Sequence, residues 1–360
     1  MSRIVYGVSG EGSGHTSRAL AVIPHLVEQG HEVKVVGYDR SYRDLKDRFD
    51  VFETEGLTIG QADNAVSVKK TIAENLARLP RGHRKSVELK KALFKEFRPE
   101  VVITDFEPMT AYLANYFDVP LITLDNQHRM RYMGLEIPSR LGPGMSLTRA
   151  IIRAMIPKPD VSLVTTFHFS RVTNDRTFCF PPLIREQVRE ADVQRRDHII
   201  VYFTKQYDRF VNRLREFDRE RFLVYGQEKE GAEGNIVFKA FSREGFVEDL
   251  ASCRAVLASA GFTLITEALY LRKPYLALPT KGQFEQELNA VMLDKQGYGK
   301  GCFRVLPETV GDFLYRIPQY EQNLASYSGS DGSEIKAKLD ELLHDNCAMA
   351  KEYHGKRSGQ

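Results

Sequence analysis

The 360-residue sequence predicts an α/β fold of two domains, each a parallel sheet with helices on both faces, followed by a terminal helix. Short runs rich in valine and isoleucine alternate with helical segments along the chain. The step Pro181-Pro182 and the charged stretch 185–197 divide these segments into a first and a second series. Two glycine-bearing turns stand at matching places, Val8-Ser9-Gly10-Glu11-Gly12-Ser13-Gly14-His15 and Ser259-Ala260-Gly261-Phe262-Thr263. Each follows an apolar strand and opens a helix, so each can offer N–H groups to an anion. The expected boundaries are 1–182, 183–330 and a terminal helix and tail over 331–360.

In the first series, strands are expected at 4–8, 33–37, 101–104, 121–124 and 161–165. The helix at 17–29 carries Leu20, Ile23, Leu26 and Val27 at helical spacing and stops at Gly30. Further helices are expected at 66–79 and 84–97, the second ending before Pro99. The second series places strands at 198–203, 221–225, 236–238, 255–258 and 275–278, with helices near 207–217, 245–253, 262–271 and 284–296. After a polar loop at 326–333, Ile335, Leu339, Leu342 and Leu343 form one stripe of a helix over 334–350. Residues 354–360 are expected to be disordered.

Composition narrows the function classes. Fifty-one basic against 48 acidic residues leave a net charge of +3, too balanced for a nucleic-acid partner. No run approaches the roughly 18 apolar residues of a membrane span. The start runs straight into a strand without a secretory apolar block, so a cytoplasmic protein is expected. Cys179, Cys253, Cys302 and Cys347 form no C-x-x-C pair, and neither a zinc site nor a disulfide framework is expected.

The first turn fits a dinucleotide fingerprint poorly, because from Gly10 the sixth position is His15 and from Gly12 it is Ser17. Asp39 stands where a nicotinamide enzyme would place its ribose acid, which keeps that reading open at this point. A histidine past a glycine turn, at the carboxyl edge of a parallel sheet, faces the crevice where such folds bind ligands. It titrates near neutrality and can take a proton from an acceptor hydroxyl. Glu11 is a weaker base candidate.

Gly10-Glu11-Gly12-Ser13-Gly14-His15-Thr16-Ser17-Arg18, Ser259-Ala260-Gly261, Glu267-Ala268, Lys273-Pro274, Gln283-Phe284-Glu285-Gln286 and Asn289-Ala290 occur in an order that resembles the GT-B glycosyltransferases. Within them the chain is most similar to the group holding the peptidoglycan N-acetylglucosaminyltransferase and its teichoic-acid and archaeal relatives. The resemblance implies two Rossmann-like domains facing across a cleft. It also implies transfer of a sugar from a nucleoside diphosphate, uridine being the default base, to a hydroxyl with inversion.

On that resemblance the second domain holds the donor. Ser259, Gly261, Phe262 and Thr263 would meet the diphosphate, and Glu267 would take the ribose hydroxyls, since a carboxylate accepts from both at once. Gln283, Glu285, Gln286 and Asn289 would face the sugar or phosphates, with Glu285 standing where the peptidoglycan enzyme has a second glutamine. Phe241-Ser242-Arg243 would flank the base. Gly10, Glu11, Gly12 and Gly14 then belong to the acceptor side, with His15 as base.

Asp105 and His128 close the set, each just past an expected strand. Asp105 could orient the histidine, and His128 is an alternative base or acceptor ligand. No D-x-D pair stands out in a suitable loop and helix N–H groups can carry the leaving charge, so neither metal nor cofactor is expected. The segment 129–153 reads as a basic amphipathic helix suited to an anionic membrane, which would put a peripheral protein and a lipid-linked or envelope-glycan acceptor at the inner face. Two alternatives stay open: a nucleotide-sugar epimerase using Asp105, Glu107 and Glu285, and a non-catalytic nucleotide-sugar binder.

Overall fold

The computed structural model describes residues 1–56, 61–62, 65–66, 85–203, 208–227, 229–304 and 307–358. Most of the expected helix at 66–79 lies outside these residues. The chain forms two compact units, one of Met1–Ala62, Ser67–Leu183 and Gly332–Gln360, the other of Asp63–Val66 and Ile184–Asp331.

The first unit is built on β1 (Arg3–Val8), β2 (Glu32–Gly37), β3 (Val51–Glu53), β4 (Val101–Asp105), β5 (Leu121–Asp125), β6 (Val161–Thr165) and β7 (Thr177–Phe180). Their spatial order is β3-β2-β1-β4-β5-β6-β7, with every pair parallel. Alternate residues of β1 serve opposite faces. Ile4, Tyr6 and Val8 pack with Val22, Ile23 and Leu26, while Val5 packs with Val102, Leu93 and Phe94. Burial on both faces explains why these strands read as continuous apolar runs.

The second unit repeats the plan with β8 (His198–Tyr202), β9 (Arg221–Tyr225), β10 (Gly231–Glu233), β11 (Ile236–Phe238), β12 (Ala255–Ser259), β13 (Tyr275–Leu278) and β14 (Gly299–Gly301). The order is β10-β11-β9-β8-β12-β13-β14, and β10 alone among these strands runs antiparallel to its neighbour. Each sheet reverses its winding beside its first strand, between β1 and β4 and between β8 and β12. Open α/β sheets bind ligands at the carboxyl ends of such a pair.

The terminal helix spans Ser333–Ser358, with a break at His344 to Cys347. Ile335, Leu339, Leu342, Leu343 and Ala350 lie in the core of the first unit. The disorder expected over 354–360 is corrected for 354–357, and residues 359–360 lie outside the described residues. His354 lies 3.0 Å from Asp160 and 3.1 Å from Asp118, and Arg357 Nε lies 3.1 Å from Asp160, so polar contacts hold the last turn. The expected basic helix at 129–153 is likewise divided, into Arg129–Tyr132, a 3₁₀ turn at Ser139–Leu141 and a helix at Gly142–Met155.

Candidate active site

The first glycine turn leaves β1 and is pinned to the next crossover. Ser9 Oγ and Tyr38 OH are 2.9 Å apart, and a Cβ on Gly10 would stand 2.3 Å from the Tyr38 carbonyl oxygen, so only glycine fits there without displacement. Gly12 has φ of 82°, a left-handed conformation that glycine adopts at no steric cost. The helix then starts at Gly14 and runs to Glu28, three residues earlier than the sequence pattern predicts, so His15 and Arg18 share its first turns.

Register explains the meeting of residues far apart in sequence. Val8 pairs with Asp105 across β1 and β4, and Ser9 N–H donates to the Asp105 carbonyl at 3.0 Å. Asp105 is the last residue of β4, and Phe106 turns the chain away with φ of 56°, a conformation bulky residues rarely adopt. The turn leads back over this edge and sets His15 Nδ1 2.7 Å from Asp105 Oδ1. Arg18 donates to both oxygens of Asp105, at 2.8 Å from Nε and 2.7 Å from Nη2, and from Nη1 to Asn126 at 3.2 Å. Asp105 is fully buried, and His15 keeps a 6% exposed edge. Glu11 is exposed.

The next strand end carries a second pair. Asp125 accepts the His128 N–H at 2.8 Å and faces His128 Nδ1 at 2.7 Å. Burial works to raise the Asp125 carboxyl, but His128 and Arg18 outweigh it and hold it below its ordinary value. His128 is fully buried, stacked on Tyr132 and edge-on to Phe106, so it lacks the solvent-reached edge that His15 keeps. Glu107 is a helix cap: its carboxylate accepts the N–H groups of Met109 and Thr110 at 2.8 and 2.7 Å, and burial pushes its pKa up.

In the second unit, β12 ends at Ser259 and the helix Phe262–Tyr270 starts at once. Gly261 has φ of −69°, and a Cβ there would meet nothing within 4 Å. The fold therefore does not require this glycine. Phe262 is buried, while Ser259 and Thr263 are half-buried. Asn289 is fully buried and donates to the Ala260 carbonyl at 2.8 Å, which braces the turn from the helix Phe284–Gln296.

Two turns into the first of these helices, Glu267 is held by Arg185, Nε to Oε1 at 2.7 Å and Nη2 to Oε2 at 3.0 Å. Burial raises the Glu267 pKa and Arg185 opposes the rise. In the loop after β13, Gln286 accepts the Thr280 N–H at 2.9 Å and donates to Gln283, which leaves Gln283, Glu285 and Gln286 half-buried around one helix start. Phe241, 55% exposed, stacks on Tyr202, and Ser242 caps the following helix through the Gly245 N–H.

Neither Arg18 nor Arg185 has a role assigned from sequence. Arg18 carried a signal, since i and i+3 residues of a helix share a face, here with His15. Arg185 carried none, because 82 residues separate it from Glu267.

Comparison with known proteins accords with this double plan. The family model described as glycosyl transferase family 1 matches residues 2–318. An uncharacterized glycosyltransferase of Methanosarcina acetivorans is 25% identical, covering 94% of this chain and 97% of its own. The UDP-N-acetylglucosamine–N-acetylmuramyl-(pentapeptide) pyrophosphoryl-undecaprenol N-acetylglucosamine transferase 1 of Bacillus thuringiensis is 23% identical, over 69% of this chain and 74% of its own. Among solved structures, the glycosyltransferase of kitacinnamycin superposes with a TM-score of 0.67 at 15% identity, covering 95% of this chain and 99% of that one. The epimerase alternative finds no support among these relatives. With two Rossmann-like sheets and a family match across both, the chain belongs to glycosyl transferase family 1 and has the GT-B fold.

Proposed function

We propose that this glycosyltransferase moves a sugar from a UDP-sugar to a hydroxyl acceptor with inversion, His15 acting as the base. The observation that carries the reading is the 2.7 Å contact of His15 Nδ1 with Asp105 at the winding reversal of the first sheet. Asp105 holds Nδ1–H, and Nε2 takes the acceptor proton as the acceptor oxygen bonds to the anomeric carbon. The bond from that carbon to the diphosphate oxygen breaks, and its electron pair leaves with UDP. N–H groups at the start of the Phe262–Tyr270 helix stabilise that charge, and Glu267, held by Arg185, accepts from the ribose.

The name of the Bacillus thuringiensis relative includes a UDP-sugar and a pyrophosphoryl-undecaprenol acceptor, which supports uridine and a lipid-linked or envelope-glycan acceptor here. No helix among the described residues is long and apolar enough to cross a membrane. Peripheral contact is assigned to the Gly142–Met155 helix, which contains no acidic residue, exposes Leu147 and Ile151 one turn apart, and carries the exposed Arg149 and Arg153 on other faces.

The test separates binding from chemistry. His15→Ala is expected to bind UDP as the wild type does and to lose about 10²–10⁴-fold in transfer rate, the span of a general base. Transfer undiminished in that variant would remove His15 from the reaction.

A further inference from the structure

The base of the proposed reaction does not stand on a lone carboxylate. Arg18 Nη2 lies 2.9 Å from His15 Nδ1, while the same guanidinium grips both oxygens of Asp105. A guanidinium has donors only and keeps its charge, so Arg18 can give a hydrogen bond to Nδ1 only if that nitrogen is bare. A bare Nδ1 would set its lone pair against Asp105 Oδ1 at 2.7 Å, two acceptors face to face. With Nδ1 protonated, the carboxylate takes the proton's hydrogen bond and Arg18 is satisfied by Asp105 and Asn126.

We propose that Arg18 is a positioning residue: it fixes the Asp105 carboxylate so that His15 carries its proton on Nδ1, and it cancels the pull of that carboxylate on an imidazolium. The proposal rests on the reading of His15 as base. A carboxylate alone beside a histidine favours the charged ring, which is then no base at neutral pH. A guanidinium at 2.9 Å, against 2.7 Å for the carboxylate, makes the Arg18–Asp105 unit neutral and so offsets that pull. The other groups facing the unit leave that balance in place. Tyr6, from β1, is a buried phenol whose pKa burial and Asp105 drive up, and Asp125 of β5 is matched by His128. Burial works against the charge on Arg18, and Asp105 more than restores it. At 5% exposure, Arg18 is positioned to act through these neighbours rather than as an open cation.

The experiment is nuclear magnetic resonance on the full chain labelled with ¹⁵N-histidine, which reads the tautomer and the titration midpoint of His15 without needing an acceptor. The wild type is expected to show Nδ1–H with a bare Nε2 at neutral pH. In Arg18→Gln the midpoint is expected to rise by about one pH unit or more. In Arg18→Lys, which keeps the charge but loses the fork, the midpoint stays near the wild-type value while the Nδ1–H fraction falls. An Nε2–H tautomer in the wild type overturns the proposal even if Arg18→Gln fails to fold. So does a folded Arg18→Gln whose His15 titrates as before. Full transfer by His15→Ala, alongside the expected resonances, would instead bring down the assignment of the base and leave the tautomer argument standing.

Discussion

At the scale of single residues, the first unit concentrates charge where water is excluded. Asp105 and Asp125 are both fully buried; Asp105 is matched by His15 and Arg18, and Asp125 by the ring and backbone N–H of His128. For Asp125 the balance gives a stability consequence with a definite sign. Its carboxyl is held below the ordinary value in the folded chain, so its contribution is fully present above the unfolded value of about 3.9 and is lost as pH falls through the lower folded value. Asp125→Asn leaves His128 buried without its carboxylate and is expected to cost about 3–5 kcal/mol in urea unfolding at pH 7. The difference between variant and wild type should shrink as the pH is taken below 4, to about the wild-type carboxyl's loss of charge. A loss that stayed constant down to strong acid would mean that the charge of the Asp125 carboxylate is not its source.

Residue pairing was only partly legible. His15 and Asp105 each follow an apolar strand of one sheet, so the sequence brings both to one edge; their contact and the place of Arg18 required the register of β1 with β4. Eighty-seven residues separate Arg18 from Asp105, and no local pattern spans that interval. Asn289 shows the reverse, a motif residue expected at the donor that in this structure ties down the Ala260 carbonyl.

At the scale of elements, the two glycine turns look alike in sequence and differ in what the fold asks of them. Gly10 is pressed against Tyr38, whereas Gly261 faces open space in a backbone conformation any residue adopts. Gly10→Ala must therefore displace Tyr38 and is expected to lower stability by about 1–3 kcal/mol, the usual range for overpacking. Gly261→Ala is expected to leave the melting temperature unchanged or slightly raised, because alanine narrows the unfolded ensemble. Thermal unfolding of the two variants checks the contrast, and equal destabilisation would contradict it.

The same scale separates the elements that were legible from those that were not. Strands buried on both faces announce themselves as valine and isoleucine runs, as at Arg3–Val8 and His198–Tyr202. The edges do not: Val51–Glu53, Gly231–Glu233 and Gly299–Gly301 are three residues each, and the last has no apolar side chain. The Pro307–Leu324 helix hides behind the internal Pro318, which in sequence reads as a stop.

At the scale of the whole molecule, two sheets of the same winding carry unlike chemistry at their reversal points, a buried ionic cluster in one and an open glycine turn with a clamped carboxylate in the other. The exposed Leu147 and Ile151 of the Gly142–Met155 helix, on a segment with basic but no acidic residues, add a further surface. Wild-type protein is expected to sediment with phosphatidylglycerol vesicles and not with phosphatidylcholine. The double change Leu147→Glu and Ile151→Glu should abolish that while leaving UDP binding intact, since both side chains are exposed. Sedimentation equal to wild type would show that this helix is not the membrane contact.

The proposed enzyme binds its nucleotide sugar at the Gly261 turn and keeps its base elsewhere, at His15. Calorimetric titration of UDP into the wild type, His15→Ala and Gly261→Ala tests this arrangement most directly. Equal affinity is expected in the first two and at least about tenfold weaker binding in the third, about 1.4 kcal/mol, with its fold intact. Unaltered affinity in a folded Gly261→Ala, or binding lost in His15→Ala alone, would contradict it.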